Sequence, residues 1–286
     1  MIARARLMYL LVAVVPFLSS GCIVIRVNGS CGATVWTTVA TERLVIDAAN
    51  LKALEVRTHN GSISFKDQPA GTSEAYVVFN KKGGGRTHAE AEEALEAINV
   101  YVQPTGDGTH KIGWKWEGDK DSAWKAQVGV EIHAPGNLRL DGETHNGSVE
   151  IKGITGEVRV VTHNGGVTVD SRDGKLYANT HNGGVKATYA GKDVTLITHN
   201  GRMVADLSRC GAVDGSITTH NGGIEVMVGE DASANLTCKT HNGLIQCDVP
   251  LGELKSSRLK LTGKIGSGEG DVEVTTYNGN IRITKG

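Results

Sequence analysis

The chain has 286 residues, and its 30 Lys and Arg against 31 Asp and Glu leave a formal charge of -1, so no overall field draws it to nucleic acid or another polyanion. Thirty-eight residues are Gly and only 5 are Pro. That is about double the usual ~7% of Gly, without the proline of collagen-like or disordered chains. Apolar residues make up 39%, enough for a core in one large or two ordinary domains.

Arg4 and Arg6 precede an apolar run from Leu7 to Leu18, and Ser19, Ser20 and Gly21 lead into Cys22. This is the charged, apolar, small-residue order of a secretory signal, over residues 1–21. The run is short for a membrane span and is interrupted by Pro16. A Cys directly after small residues resembles the lipobox of bacterial lipoproteins, which implies cleavage before Cys22 and lipidation of its thiol. Ser19 stands where that pattern most often has Leu. The resemblance further implies a lipid-anchored segment 22–40 and, with Ile23 rather than Asp after the Cys, the outer membrane rather than the inner. Export would place Cys31, Cys210, Cys238 and Cys247 in an oxidising compartment that allows disulfides. Cys238 and Cys247 share the parity of Leu236 and Ile245, so both are expected at the core, as a disulfide or as two packed thiols.

A tetrapeptide, Thr-His-Asn-Gly, first occurs at Thr58. Residues 72–133 then depart from it. Thr87 and Glu90 have the spacing of a capping box, followed by Ala91, Ala94, Leu95 and Ile98 on one helix face. Segments 76–79, 100–102, 112–116 and 126–132 read as strands beside that helix. The insert is expected to pack on the first rung or cap the open end of a repeat. The run from Asn80 to Arg86, with Gly83, Gly84 and Gly85, reads as an exposed turn and lacks the Gly-Lys-Ser/Thr of a phosphate loop. Ile112, Trp114 and Trp116 share a strand face near Trp124, a stripe more often core than a sugar platform.

The tetrapeptide returns at Thr144, Thr162, Thr180, Thr198, Thr219 and Thr240, at intervals of 18, 18, 18, 21 and 21 residues, with Thr-Tyr-Asn-Gly at Thr276. The final gap of 36 equals two units, and Leu261-Thr262-Gly263 reads as the degenerate rung between them. Within each unit the apolar residues alternate, as in Val158, Val160, Val167 and Val169, so each unit is two strands with one buried face. Asn-Gly between strands is a turn signal because both residues tolerate positive φ. An antiparallel meander would not return the same four residues to one corner, whereas a coil of one unit per turn does. The predicted fold is therefore all-β: a single-stranded β-solenoid (β-helix) of 18–21-residue rungs over residues 41–286, with 72–133 as a small α/β insert. Stacked corners would align Asn146, Asn164, Asn182, Asn200, Asn221 and Asn242 into an amide ladder. Parity turns each motif Thr inward and each His outward.

Residues 44–286 resemble a known family, the bacterial putative-adhesin domain of unknown function, a β-solenoid related to GIN-domain adhesin heads. The resemblance rests on Ala89 to Ile98, Val130 to Gly136, Thr144 to Gly156 and Gly266 to Ile283. It implies fold more than activity, and the recurrent His departs from the small or polar residues commoner there.

The outward column His145, His163, His181, His199, His220 and His241, with His59 before it, admits two main readings. The imidazoles pack along the ladder, or neighbours about 4.8 Å apart share a Zn, Cu or Ni ion. A pH-sensing role is a third. Catalysis would need converging acids, but six residues after each motif Thr stand Glu150, Thr168, Lys186, Val204, Glu225, Gln246 and Arg282, a mixed surface. Neither Gly-x-Ser-x-Gly nor His-Glu-x-x-His occurs. The expected protein is a non-enzymatic envelope lipoprotein, an adhesion or scaffold module without cofactor. It would be held to the membrane by its lipid and would meet an envelope protein or polysaccharide, not nucleic acid. A metal-binding envelope protein using the His column, with Zn, is the alternative, and a carbohydrate-active enzyme is third.

Overall fold

The computed structural model describes residues 25–29, 36–69 and 71–286; the signal segment 1–21, Cys22 and Cys31 lie outside them. The chain is nearly all-β. Among the described residues 24 strands form two twelve-stranded sheets, accompanied by one helix.

The alternation of apolar residues produces this arrangement directly. In the strand Val158–Asn164, Val158, Val160 and Thr162 are buried while His163 and Asn164 are exposed. The chain then crosses Gly165 and Gly166 into the strand Val167–Ser171, whose Val167, Val169 and Ser171 are buried in turn. Each strand pairs in parallel with its equivalent in the next unit. Thr162 lies opposite Thr180 and Asn164 opposite Asn182 in one sheet, and Val167 lies opposite Val185 in the other. Parallel pairing of equivalents lays every column of the repeat along one line of the molecule. The inner faces meet in one core, with Val160, Ala178, Leu196 and Ile217 from one sheet and Val169, Ala187, Ala205 and Val226 from the other. Each full burial of a Val, Leu or Ile contributes roughly 1.5–3 kcal/mol, so the stack gains with every coil.

The strands of residues 72–133 lie toward one end of the two sheets. The strand Ala53–Arg57 pairs in parallel with both Arg139–Thr144 and Thr109–Trp116, and Ile63–Gln68 pairs in parallel with Lys125–Pro135. Antiparallel strands Glu74–Gly85 and Trp36–Asp47 continue that sheet outward. The helix His88–Glu96 starts at Thr87, whose hydroxyl accepts from the Glu90 N–H at 3.1 Å, while the Glu90 carboxylate accepts from the Arg86 N–H at 2.7 Å. Its Ala91, Ala94 and Leu95 are buried.

Three local expectations are corrected. Residues 80–85 are strand, not an exposed turn. Their glycines admit the helix, because a Cβ on Gly83 would lie 2.5 Å from the Leu95 nitrogen. The motif glycines do not have positive φ, which occurs instead at the other corner, at Gly153 (80°) and Gly174 (75°). Finally, Leu261-Thr262-Gly263 is no rung. The strand Lys260–Ile265 runs antiparallel to Ala234–Asn242 and, with Gly252–Ser256, closes that sheet at its end. The final rung, Gly270–Asn278 and Ile281–Lys285, is instead slotted between two earlier ones: Gly270–Asn278 pairs with Asp214–Asn221 on one side and Ala234–Asn242 on the other.

Candidate functional site

The four motif residues each form a continuous line at one corner, and each line has its own physical cause. Thr144, Thr162, Thr180, Thr198, Thr219, Thr240 and Thr276 are all buried. Their hydroxyls would be costly there without a partner. Each donates to the motif Gly carbonyl of the adjacent rung: Thr162 to Gly147, Thr180 to Gly165 and Thr198 to Gly183, all at 2.8 Å. Gly is required because the corners approach so closely. A Cβ on Gly165, Gly183 or Gly201 would fall well under 3.0 Å from the preceding motif's Gly carbonyl oxygen.

The Asn side chains form an amide ladder that includes all six predicted members and extends past them. Asn146 donates to Asn60 at 2.7 Å, Asn164 to Asn146 at 2.8 Å, Asn182 to Asn164 at 2.9 Å and Asn200 to Asn182 at 2.9 Å. It continues from Asn221 to Asn200 at 2.8 Å, Asn278 to Asn221 at 2.7 Å and Asn242 to Asn278 at 2.8 Å. Asn278 is thus an interior member and Asn242 an end, the reverse of their chain order. The ladder uses one N–H of each donating amide.

Outside the ladder stand the rings. His59, His145, His163, His181, His199 and His220 are exposed and stack face to face, with centroids 4.7–4.8 Å apart and planes within 6°. Tyr277 is seventh, 4.9 Å from His220 and 4.5 Å from His241. The column forms one wall of an open groove of about 1170 Å³. The other wall comes from the residue preceding each motif, including Val161, Asn179, Ile197 and Thr218. Charged side chains line only its ends. Arg57 pairs with Asp141 (3.0 Å) and Glu143 (3.5 Å) at one end, and Lys239 pairs with Glu273 (2.7 Å) at the other.

This geometry bears on the metal reading of His145, His163, His181, His199, His220 and His241. Zn–N bonds of about 2.0–2.1 Å bring two nitrogens within ~4.2 Å even when linear. Rings stacked in parallel at 4.8 Å keep equivalent nitrogens that far apart and do not converge on one ion. Among the described residues no group of three or more His, Cys, Asp or Glu forms a ligand set.

The remaining candidates are dispersed. Cys238 is buried and Cys247 half-buried, and both are free thiols, so the disulfide allowed by their parity is not formed. Burial pushes the Cys238 thiol up to about 12 and that of buried Cys210 to about 11, leaving both protonated and inert. The column Glu150, Thr168, Lys186, Val204, Glu225, Arg282 and Gln246 runs down the other sheet in that spatial order and gathers no acids. Trp114 and Trp116 are half-buried against the core, edge to face at 5.5 Å, and Trp114 Nε1 donates to Thr58 Oγ1 at 3.3 Å. They brace the start of the column.

A fully buried residue escaped the sequence reading. The Tyr189 hydroxyl accepts from the Asp193 N–H at 2.7 Å and faces the carbonyls of Gly174 (2.7 Å) and Asp193 (2.8 Å), tying the far corner together. Its signal was an aromatic at a buried position where the corresponding residues of neighbouring rungs are Ser171, Leu207 and Val228.

The profile of the Toastrack DUF4097 family matches residues 43–284. The chain belongs to this family. No curated protein is significantly similar to this Toastrack chain in sequence. Among solved structures it is similar to a putative adhesin from Parabacteroides merdae, with 11% identity and a TM-score of 0.45 over 86% of this chain and 95% of that one. It is also similar to a putative adhesin from Bacteroides fragilis, with 13% identity and a TM-score of 0.44 over 86% and 96%. A putative cell adhesion protein from Clostridium sporogenes shows 10% identity and a TM-score of 0.37 over 86% and 99%. No helix of the described Toastrack residues is long and apolar enough to cross a membrane.

Proposed function

We propose that this Toastrack protein is a non-enzymatic adhesion or scaffold module of the bacterial cell envelope. In this reading residues 1–21 are removed on export, lipid on Cys22 anchors the chain in the outer membrane, and 22–40 tether a solenoid of 18–21-residue rungs capped by the insert 72–133. The observation that supports a binding role is the exposed ring column with its groove, which presents one chemical pattern at every rung. Such a surface favours many weak contacts with an extended partner, where avidity exceeds the affinity of one rung.

Two measurements test the reading. Cys22→Ala should move the protein from the detergent-extracted membrane fraction to the soluble fraction or block its processing; unchanged processing and extraction would remove the lipid anchor. The released chain should cosediment with envelope material, and changing His163, His181 and His199 together to Ala should reduce that binding about tenfold at whichever pH between 5 and 8 it is strongest, as for lost multivalent contacts. Undiminished binding would show that the column is not the contact face.

A further inference from the structure

The column carries a more specific consequence for the partner's chemistry. Imidazoles as a class become charged between neutral and mildly acidic pH. Two unit charges in water repel by the thermal energy at about 7 Å, whereas adjacent rings here are 4.7–4.8 Å apart. The protein supplies no counter-charge to the middle of the column. Between Val161 and Thr219 the groove is lined by no acidic residue, and its charged residues, Arg57, Glu143 and Lys239, stand at the two ends. Arg202, one strand over, is paired with Glu225. A charged column therefore condenses small anions from solution, and a linear polyanion that replaces them gains the entropy of their release, as a polycation does on nucleic acid. The near-zero net charge of the whole chain does not oppose this, because the column concentrates its rings along one line.

We infer that the column is an acid-activated track for an acidic polysaccharide, a linear glycan bearing carboxylates, which narrows the partner of the reading above and rests on it. Carboxylates meet the imidazolium line. The sugar hydroxyls meet the N–H that each exposed Asn amide does not spend on the ladder. Those neutral contacts favour a glycan over a bare chain of phosphates.

The test uses the full-length chain and polygalacturonate at pH 5 and pH 8, with galacturonate monomer, neutral dextran and inorganic polyphosphate beside it. Polygalacturonate should bind at least about tenfold more tightly at pH 5 than at pH 8. At pH 5 it should weaken roughly tenfold between 50 and 200 mM salt, as for about two neutralised charges. The monomer and dextran should bind far more weakly. Changing His163, His181 and His199 together to Tyr keeps flat rings in the stack, as Tyr277 does, and should abolish the pH dependence; the same three changes to Gln should do so with a different side chain. Equal binding at the two pH values, retention of acid-activated binding in the Tyr variant, or tighter binding of polyphosphate than of polygalacturonate would each overturn the inference. Column-dependent cosedimentation with envelope material alongside such a result would leave the adhesion reading standing with another partner.

Discussion

The ring of Tyr277 lies 4.9 Å from that of His220 with 4° between their planes, in the slot that a histidine fills on every other rung. The column is thus satisfied by a flat ring as such, and the ionisable nitrogens are an addition to the stack rather than a condition for it. His181→Tyr should therefore leave stability at pH 8 within about 0.5 kcal/mol of the parent, while His181→Ala, which removes two ring contacts, should cost about 1–2 kcal/mol. Urea denaturation of the two variants checks this, and equal losses would mean that ring stacking adds nothing.

The amide ladder gives a second test. Asn182 and Asn278 each bond neighbours on both sides, whereas Asn242 bonds only Asn278. Asn182→Ala and Asn278→Ala should each lose about 1–2 kcal/mol and Asn242→Ala about half as much. Thermal unfolding of the three side by side would expose a wrong assignment of the ends, because a terminal Asn278 would behave as the mildest of the set.

Glycine at the corner is expected to be irreplaceable on one side only. A Cβ on Gly183 would run into the backbone of Gly165, while one on Gly166 would rest 3.5 Å from the Gly184 oxygen. Gly183→Ala should cost more than about 3 kcal/mol, beyond ordinary overpacking. Gly166→Ala should be neutral or slightly stabilising through the unfolded chain. Soluble yield and melting temperature report both, and similar behaviour of the two variants would contradict the close approach of the corners.

Tyr189 makes the stack sensitive to alkali. Burial pushes its phenol from the ordinary 10 up to about 12, outweighing the opposing effect of the Asp193 N–H. The folded state therefore holds the proton more tightly than the unfolded chain. This contribution to stability is complete below pH 10 and is lost as the pH rises through about 12. Tyr189→Phe should remove that alkaline loss and cost about 2 kcal/mol at pH 8, because the Asp193 N–H loses its acceptor. Denaturation at pH 8 and pH 11 separates the two effects.

Much of this was legible in the residues. Equal spacing of Thr162, Thr180 and Thr198 with constant parity is enough to place them on one inward line, because parallel pairing of equivalents leaves no other register. What could not be read was any property set by a neighbour distant in the chain. The motif Gly looks like a residue chosen for its own backbone freedom, yet it is required by the carbonyl of another rung. Gly83 looks like loop material and is the seat of a helix. Nothing near Tyr277 indicates that it docks on His220 as well as on His241, since both edges present the same pattern to it.

The slotting of the last rung bears on the order of assembly. A chain made from its N-terminus can add coils one by one as far as the strand Asp214–Asn221, but residues 234–265 emerge before the piece that must lie beneath them. The strands Ala234–Asn242 and Ile245–Cys247 have their parallel partners only in Gly270–Asn278 and Ile281–Lys285, which follow them in the chain. A product cut short before Gly270 would keep a bare parallel edge on Asp214–Asn221 carrying the full hydrogen-bonding pattern of a rung. Such an edge is a template for another chain, so in this molecule the strand Gly270–Asn278 protects Asp214–Asn221 from pairing with its own copies.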